Sequence, residues 1–401
     1  MTTTKRSVEL HKLNGDTSWL VRIPLPTSND NGNDHTDGSS NQDRTFDLVI
    51  DPWLHPAAQI DGASCFSKQT RVQQAQFDSI ADLDRWLRSR PATSDRLQNT
   101  CRAAHDENDQ DGHGEGINAV LFSHPFTDHL HPETLQDTAS RRVLERATIL
   151  TTADSLDGLQ SLRLDLDPRK IVNLCNSRKT TLNREQDKEQ KKEKERASSL
   201  FPRVLPTGVT VHYLAAKDWS LSPAWSKLHG GILITVDPPR DSSDASPLEI
   251  LYAPHGISAK SVSTHFSSVS TNRNTAERKT SNVAQSQLQS ELRPYRVLLH
   301  SFDRQTLPLI GVVACGFPNI VDLVASEFRP DVVVATHDEH KSAQGLVALT
   351  IRRRSFPLDS ARRLLASKYP DSHTRLEGLA VGESLTLPLP LPLPLSLDPE
   401  L

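Results

Sequence analysis

The segment NAVLFSHPFTDHLHPETL, residues 118 to 135, places four titratable side chains within eight positions, directly after an apolar run that predicts a buried strand. They are His124, Asp128, His129 and His131. Two interpretations are open. One is a polar turn between a strand and a helix. The other is a metal site, because imidazole nitrogen and carboxylate oxygen together suit Zn²⁺, Mn²⁺ or iron.

Histidines recur at the ends of later apolar runs. LEILYAP is followed by His255, YRVLLHS ends with His300, and DVVVATHDEH contains His337 and His340. Only 16 of the 401 residues are histidine, so chance is a poor explanation for this placement. Side chains at strand ends of α/β proteins gather at one rim of the sheet. The sequence therefore predicts that several of these histidines share one ligand, since a bound metal would relieve the cost of burying polar groups there.

The elements that must position these residues alternate between short apolar strands and helices. Runs such as DLVID, ATILTT, VTVHYLA and GGILITV predict strands, and SIADLDRWLRS, ETLQDTASRRVLER, PNIVDLVASEF and DSARRLLASKY predict helices. Interleaved strands and helices indicate an α/β protein with one continuous core.

Polar segments interrupt this pattern. They predict flexible insertions at about 27–44, 96–116, 183–199 and 258–291. The run LPLPLPLPL excludes a helix and predicts an extended, disordered tail. We expect one domain over residues 1–356, followed at 357–401 by a C-terminal helix and this tail.

Composition limits the classes of function. With 46 basic and 50 acidic residues the net charge is −4, which offers no field for nucleic acid. The four cysteines form no CxxC pair, which favours reduced thiols in an intracellular protein. No stretch resembles a signal peptide or a transmembrane segment. A cytoplasmic or nuclear location is the default, and the cytoplasm is the expected one.

The blocks LVIDPWL, SHPFTDH, YAPHGI and THDEHK resemble the metallo-β-lactamase fold hydrolases. Members of that family carry HxHxDH after a strand, then a further His, an Asp at another strand end and a last His. The resemblance covers most of residues 45–355 in order. It is closest to the branch that includes ascorbate-6-phosphate lactonase and N-acylphosphatidylethanolamine-hydrolysing phospholipase D, and within it to uncharacterised fungal members. It implies a four-layer αββα sandwich with one or two metal ions.

The HxHxDH motif is degenerate in this chain. His124 matches the first histidine, and Asp128 and His129 match the final pair. Phe126 stands at the second histidine and cannot bind a metal. The resemblance therefore implies one well-held metal ion, with a second position weakened.

The later family positions also depart from the pattern. The middle histidine falls near YLAAKDWS, where the aligned residue is Asp218, and the bridging aspartate falls in LYAPHGI, where His255 stands. The last histidine matches His337. The metal ligands implied by the resemblance are His124, Asp128, His129, Asp218, His255 and His337.

Two functions follow from this ligand set. The first is hydrolysis of an ester, lactone or phosphodiester in a small or lipid-like substrate, with a metal-activated water and Asp128 as the catalytic residue. Zinc is the expected metal, with manganese or iron as alternatives. The second is a catalytically degenerate scaffold or ligand-binding protein that keeps the fold.

Other polar residues near these blocks have weaker claims. Asp51 ends the strand in LVID and is open between a turn former and a residue that orients a ligand. Lys341 is interpreted as a solvated lysine, with contact to an anionic substrate group as the alternative. His131, His300 and His340 are the weakest ligand candidates.

Overall fold

A computed structural model describes residues 7–25, 44–90, 116–175, 205–217, 225–238, 246–267, 293–308 and 310–389. Most of the insertions predicted from the sequence lie outside these ranges, as do Asp218 and residues 390–401. None of the helices in the described ranges has the length and apolar character needed to cross a bilayer.

The described residues form short strands with helices interspersed among them. In chain order the strands are β1 (Ser7–Lys12), β2 (Trp19–Pro24), β3 (Thr45–Ile50), β4 (Gln59–Ile60), β5 (Lys68–Thr70), β6 (Ala119–Phe122), β7 (Thr148–Thr151), β8 (Ile171–Asn173), β9 (Val209–Ala215), β10 (Gly230–Val236), β11 (Leu248–Ala253), β12 (Tyr295–His300), β13 (Arg304–Leu307), β14 (Gly311–Ala314), β15 (Val332–Ala335), β16 (Ser342–Gln344), β17 (Arg352–Arg354), β18 (Arg375–Glu377) and β19 (Ser384–Pro388). The helices are α1 (Ile80–Ser89), α2 (Pro132–Gln136), α3 (Thr138–Arg146), α4 (Ala153–Ser161), α5 (Trp225–Leu228), α6 (259–267), α7 (Phe317–Ala325), α8 (Leu346–Thr350) and α9 (Leu358–Lys368).

Two large sheets carry the fold. The first has seven strands in the order β19-β1-β2-β3-β6-β7-β8, and the second has six in the order β18-β15-β12-β11-β10-β9. Two three-stranded sheets, β14-β13-β17 and β16-β5-β4, flank them. The pairs β3–β6 and β11–β12–β15 are parallel, so within each sheet their carboxyl ends share one edge.

Alternation along the strands sorts the apolar side chains into three cores. Leu48 of β3 and Ile250 of β11 both point into the central core, which lies between the two large sheets. Val49, the next residue of β3, points to the outer core, where α1 to α4 cover the first sheet. Leu251 likewise faces the third core, in which α6, α7 and α9 cover the second sheet. These layers confirm the predicted four-layer αββα sandwich.

The C-terminal segment belongs to this sandwich. In it, β18 pairs in parallel with β15, and β19 pairs antiparallel with β1. Leu376 and Leu387 are buried in the third and central cores. The sequence-based division at residue 356 therefore separates strands that complete both sheets, and the Leu-Pro run begins inside β19. Pro388 fits there because β19 is an edge strand.

Two further expectations need correction. ETLQDTASRRVLER predicts one helix, but Asp137 interrupts it: its side chain accepts a hydrogen bond from the Ser140 amide and caps α3. The predicted mobile insertion at 258–291 begins with α6, which is held in place because the side chain of Val262 is fully buried in the third core.

Candidate metal centre

The candidate site lies where the carboxyl ends of strands from both large sheets meet. Asp51 follows β3, His124 follows β6 by two residues, His255 follows β11 and His337 follows β15. All are at most 6% exposed. The strand-end rim predicted from the sequence is therefore shared by the two sheets, which bring residues far apart in the chain into contact.

Four histidine rings and one carboxylate converge at this rim. His129 and His255 lie with their Nε2 atoms 2.9 Å apart. Possible ligand atoms of His124, His129 and His255 fall within 4.8 Å of one another, as do those of Asp128, His129 and His337. His129 belongs to both groups, so five of the six predicted ligands form one continuous cluster. Asp218 lies outside the described residues.

Hydrogen bonds at Nδ1 fix the orientation of two of the rings. His129 Nδ1 is 2.7 Å from Asp51 Oδ2, and His255 Nδ1 is 3.1 Å from the carbonyl oxygen of Val313. A carboxylate and a carbonyl can only accept, so both Nδ1 atoms donate and carry the proton of the neutral ring. Both Nε2 atoms then present lone pairs to the centre of the cluster.

The other two rings follow the same pattern. His337 Nδ1 donates to Asp16 Oδ1 at 2.8 Å. His124 Nδ1 is 2.7 Å from the Ser123 hydroxyl, which itself donates to Asp51 and therefore accepts from the ring. Every one of the four histidines thus has its Nδ1 hydrogen-bonded to a partner, which leaves its Nε2 available to a metal ion.

This arrangement fits a bound cation. Two lone pairs 2.9 Å apart repel unless a proton or a metal ion lies between them, and one proton can serve only two of the four nitrogens. Burial, with a smaller contribution from the neighbouring His129 or His337 ring, also holds the pKa values of His124 and His255 well below the ordinary value. Neutral imidazoles with a carboxylate beside them are a donor set for Zn²⁺ and similar ions.

Asp128 is ionised in this setting. Burial by itself would raise its pKa, but the Lys341 ammonium, with smaller contributions from the His129 and His337 rings, outweighs burial and lowers the pKa to about 2. The carboxylate lies with Oδ1 3.8 Å from His129 Nε2 and with Oδ2 3.9 Å from His337 Nε2. It can therefore complete a ligand set with both rings.

Asp51 lies behind the cluster and accepts several hydrogen bonds. Its carboxylate accepts hydrogen bonds from the Ser123 amide, the His129 ring and the Tyr252 hydroxyl. Asp51 has φ 45° and His337 has φ 58°, a left-handed conformation that non-glycine residues rarely adopt. Of the two roles open for Asp51, the structure supports the orientation of a neighbouring side chain, that of His129, and the unusual backbone re-aims the Asp51 side chain at the end of β3.

Two of the weaker histidine candidates, His300 and His340, lie outside the cluster. His300 is buried between Ser301 and Asn319, and His340 is exposed. Phe126, at the second position of the motif, has its ring 6.1 Å from the ring of His255. An apolar ring therefore borders the cluster on that side.

His131 has a structural role. Its Nδ1 accepts a hydrogen bond from the Thr134 amide and so caps α2, and its ring stacks on Trp53 at 5.3 Å. Burial, and then the nearby charges of Arg71 and His55, lower the pKa of His131 to about 3. Protonation of Nδ1 would break the cap.

We expect acid to destabilise the fold through His131. Its pKa is lowered by folding from about 6.5, so its contribution is complete above about pH 6.5 and is lost as the pH falls towards 3. His131→Asn keeps a capping oxygen but does not titrate. Urea denaturation should show the wild type losing on the order of 3 kcal/mol more than this variant between about pH 6.5 and pH 4. The exposed His373→Asn should keep the wild-type slope; parallel pH profiles for all three proteins would contradict the assignment.

Sequence reasoning missed two residues of the centre. Asp16 lies in the turn between β1 and β2, is 1% exposed and orients His337. Lys341, expected to be solvated, is buried against Asp16 and Asp128. No spacing rule links Asp16 to His337, 321 positions away, so only the fold reveals the contact.

Known proteins resemble this chain in structure but not detectably in sequence. No model of a protein family matches the chain, and no curated protein matches it. Among solved structures, the isothiocyanate hydrolase from Delia radicum gut bacteria is similar at 12% identity and a TM-score of 0.46, over 95% of this chain and 99% of the other. That similarity is too low to carry an activity over to this chain.

Proposed function

We propose that this protein is a metal-dependent hydrolase that holds one divalent ion between its two sheets. The observation that carries the proposal is the convergence of four histidine rings, each with an Nδ1 that donates to Asp51, Ser123, Val313 or Asp16. Such outer partners are what orient histidine ligands in metal sites. The proposed ligands are His124, Asp128, His129, His255 and His337, with Asp218 as a further candidate.

A divalent ion held there would supply a Lewis acid and lower the pKa of a bound water to near neutrality. The chain's own residues prepare the position for it. Asp51 and Asp16 hold His129 and His337 in the tautomer that binds through Nε2. The Phe126 ring and the buried walls limit the access of bulk water, which strengthens electrostatic interactions with a polarised substrate oxygen.

Asp128 has a narrower role than the sequence suggests. A pKa of about 2 makes it a weak base at neutral pH, since an efficient proton acceptor has a pKa near the working pH. We therefore assign Asp128 to metal binding and to positioning of the attacking water. Ester, lactone and phosphodiester bonds in small or lipid-like substrates are the proposed targets, because all three are cleaved by a water activated in this way.

The test is the metal content of untagged protein, measured by elemental mass spectrometry. The wild type should carry about one zinc, manganese or iron per chain, and Asp128→Ala/His337→Ala should carry none. The exposed His340→Ala, three residues from His337, is the matched control and should keep the metal. Hydrolysis of p-nitrophenyl acetate, a lactone and bis-p-nitrophenyl phosphate is then compared in the three proteins.

The alternative is a scaffold that keeps the fold without catalysis, and Phe126 in place of a ligand favours it. A wild type that takes up no metal even after reconstitution would establish that alternative. Hydrolysis that survives equally in the double variant would also refute a metal-dependent reaction.

A further inference from the structure

Lys341 is a buried cation inside the candidate metal centre. Its side chain is only 8% exposed. The ammonium forms an ion pair with Asp16 Oδ2 at 2.5 Å, lies 3.1 Å from Asp128 Oδ2, and donates to Gln59 Oε1 at 2.9 Å. The ring of Trp53 is 5.0 Å away. An ammonium has three protons, and three acceptors surround this one.

The charges in contact at the centre do not balance without a further cation. Asp51 contacts His129, Asp16 contacts His337 and Lys341, and Asp128 contacts Lys341. Three carboxylates against one ammonium leave two negative charges in a buried cluster. One divalent ion would neutralise them, whereas two would leave an excess of positive charge. Buried charges persist only when they are paired in this way.

The position of Lys341 also sets how Asp128 can bind. Its ammonium contacts Oδ2, while Oδ1 is the oxygen nearer to His129 Nε2. Oδ2 is therefore shared between the lysine and the His337 side of the cluster, at 3.9 Å from His337 Nε2, whereas Oδ1 is directed to His129 alone. The same ammonium reaches Asp16, which orients His337. Lys341 thus contacts one proposed ligand, Asp128, and the residue that orients another, His337.

We propose that Lys341 is a fixed second cation of the metal centre, a positioning residue that balances one carboxylate and limits the cluster to a single divalent ion. The inference rests on the proposed function and adds to it the reason why one ion is held instead of two. In the metal-bound protein, the ammonium neutralises carboxylate charge that a second metal ion would otherwise neutralise. Its charge survives burial because the two aspartates raise its pKa above the ordinary value.

The experiment compares four proteins that differ in the charge of this cluster. They are the wild type (−2), Lys341→Met (−3), Asp16→Asn (−1) and the double variant Asp16→Asn/Lys341→Met (−2). Asparagine keeps an oxygen that can accept from His337 Nδ1, so the ring stays supported. Zinc stoichiometry is measured by elemental mass spectrometry, and zinc affinity by competition with a chromophoric chelator at about pH 8.

Charge balance predicts an order of zinc affinities among the four proteins that a purely structural role of Lys341 does not predict. Lys341→Met should bind zinc at least about tenfold more tightly or take up a second ion, and Asp16→Asn should bind at least about tenfold more weakly. The double variant should return to within about threefold of the wild type, because removing one positive and one negative charge together leaves the net charge of the cluster at −2.

The outcomes separate this inference from the proposed function. Two results would show that Lys341 has only a structural role. One is a double variant that binds zinc no more tightly than the weaker-binding of the two single variants, and the other is a Lys341→Met variant that loses zinc. In either case the inference is wrong, but the metal site remains. If the wild type binds no zinc, the proposed function fails and the inference fails with it. Should Lys341→Met not fold, the double variant and Asp16→Asn still decide between the two readings.

Discussion

Asp51→Asn is expected to weaken zinc binding by roughly 10- to 100-fold while the fold is retained. The Asp51 carboxylate receives three side-chain donors, from Ser123, His129 and Tyr252, and one backbone donor. An asparagine of the same shape has only one oxygen, and its amide group would face donors. His129 would then lose the acceptor that keeps its proton on Nδ1 and its lone pair on Nε2.

The measurement is competition for zinc with a chromophoric chelator, and the control is Asp47→Asn. Asp47 is a buried carboxylate on the same strand, paired with Arg22 at 2.6 Å and outside the cluster. We expect Asp47→Asn to lower the free energy of unfolding without changing zinc affinity. Equal zinc affinities for the wild type and Asp51→Asn, or equal losses in both variants, would show that Asp51 does not orient His129.

A chain that ends at residue 356 is expected not to fold, whereas one that ends at residue 389 should fold like the full chain. The shorter chain lacks four buried leucines, each of which contributes about 1.5–3 kcal/mol by burial. That loss of roughly 6–12 kcal/mol is comparable to the whole stability of a domain, about 5–15 kcal/mol. The leucines are Leu365, Leu376, Leu387 and Leu389.

Circular dichroism and urea denaturation of the two shortened chains decide the matter. A cooperative transition for the chain that ends at 356, with a midpoint near that of the full protein, would show that β18 and β19 are dispensable additions. A matched variant of the full chain, Leu376→Ala, should lose about 2–5 kcal/mol, since it empties one of the same buried positions.

Much of the fold could be predicted because the central strands of both large sheets lie between two cores. DLVI, AVLF, GGILIT and LEILY are apolar at nearly every position, and both faces of each are buried, so their composition alone marks them. The strand SVELHK lacks that mark because it contains His11 and Lys12, which become buried only through tertiary contacts. The strand RLE is too short to carry a pattern of its own.

Only some residues of the candidate site could be predicted from the sequence. Histidines at strand ends were visible in the sequence because their position follows from each strand, and five predicted ligands do lie together. Asp16 and Lys341 were not visible, because an aspartate in a hairpin turn and a lysine after THDEH look like ordinary surface residues. Their roles arise from a meeting of the first turn with the end of β15, which no local pattern encodes.

The pairing of β1 with β19 has a consequence for how the protein is made. His11 and Ser384 are in hydrogen-bond contact although 373 positions separate them. During translation β1 emerges early, and its outer edge stays unpaired until nearly all of the described chain has left the ribosome. An open strand edge invites pairing with other chains. We therefore expect this protein to need a chaperone most while it is still bound to the ribosome. The first sheet is completed only when β19 pairs with β1.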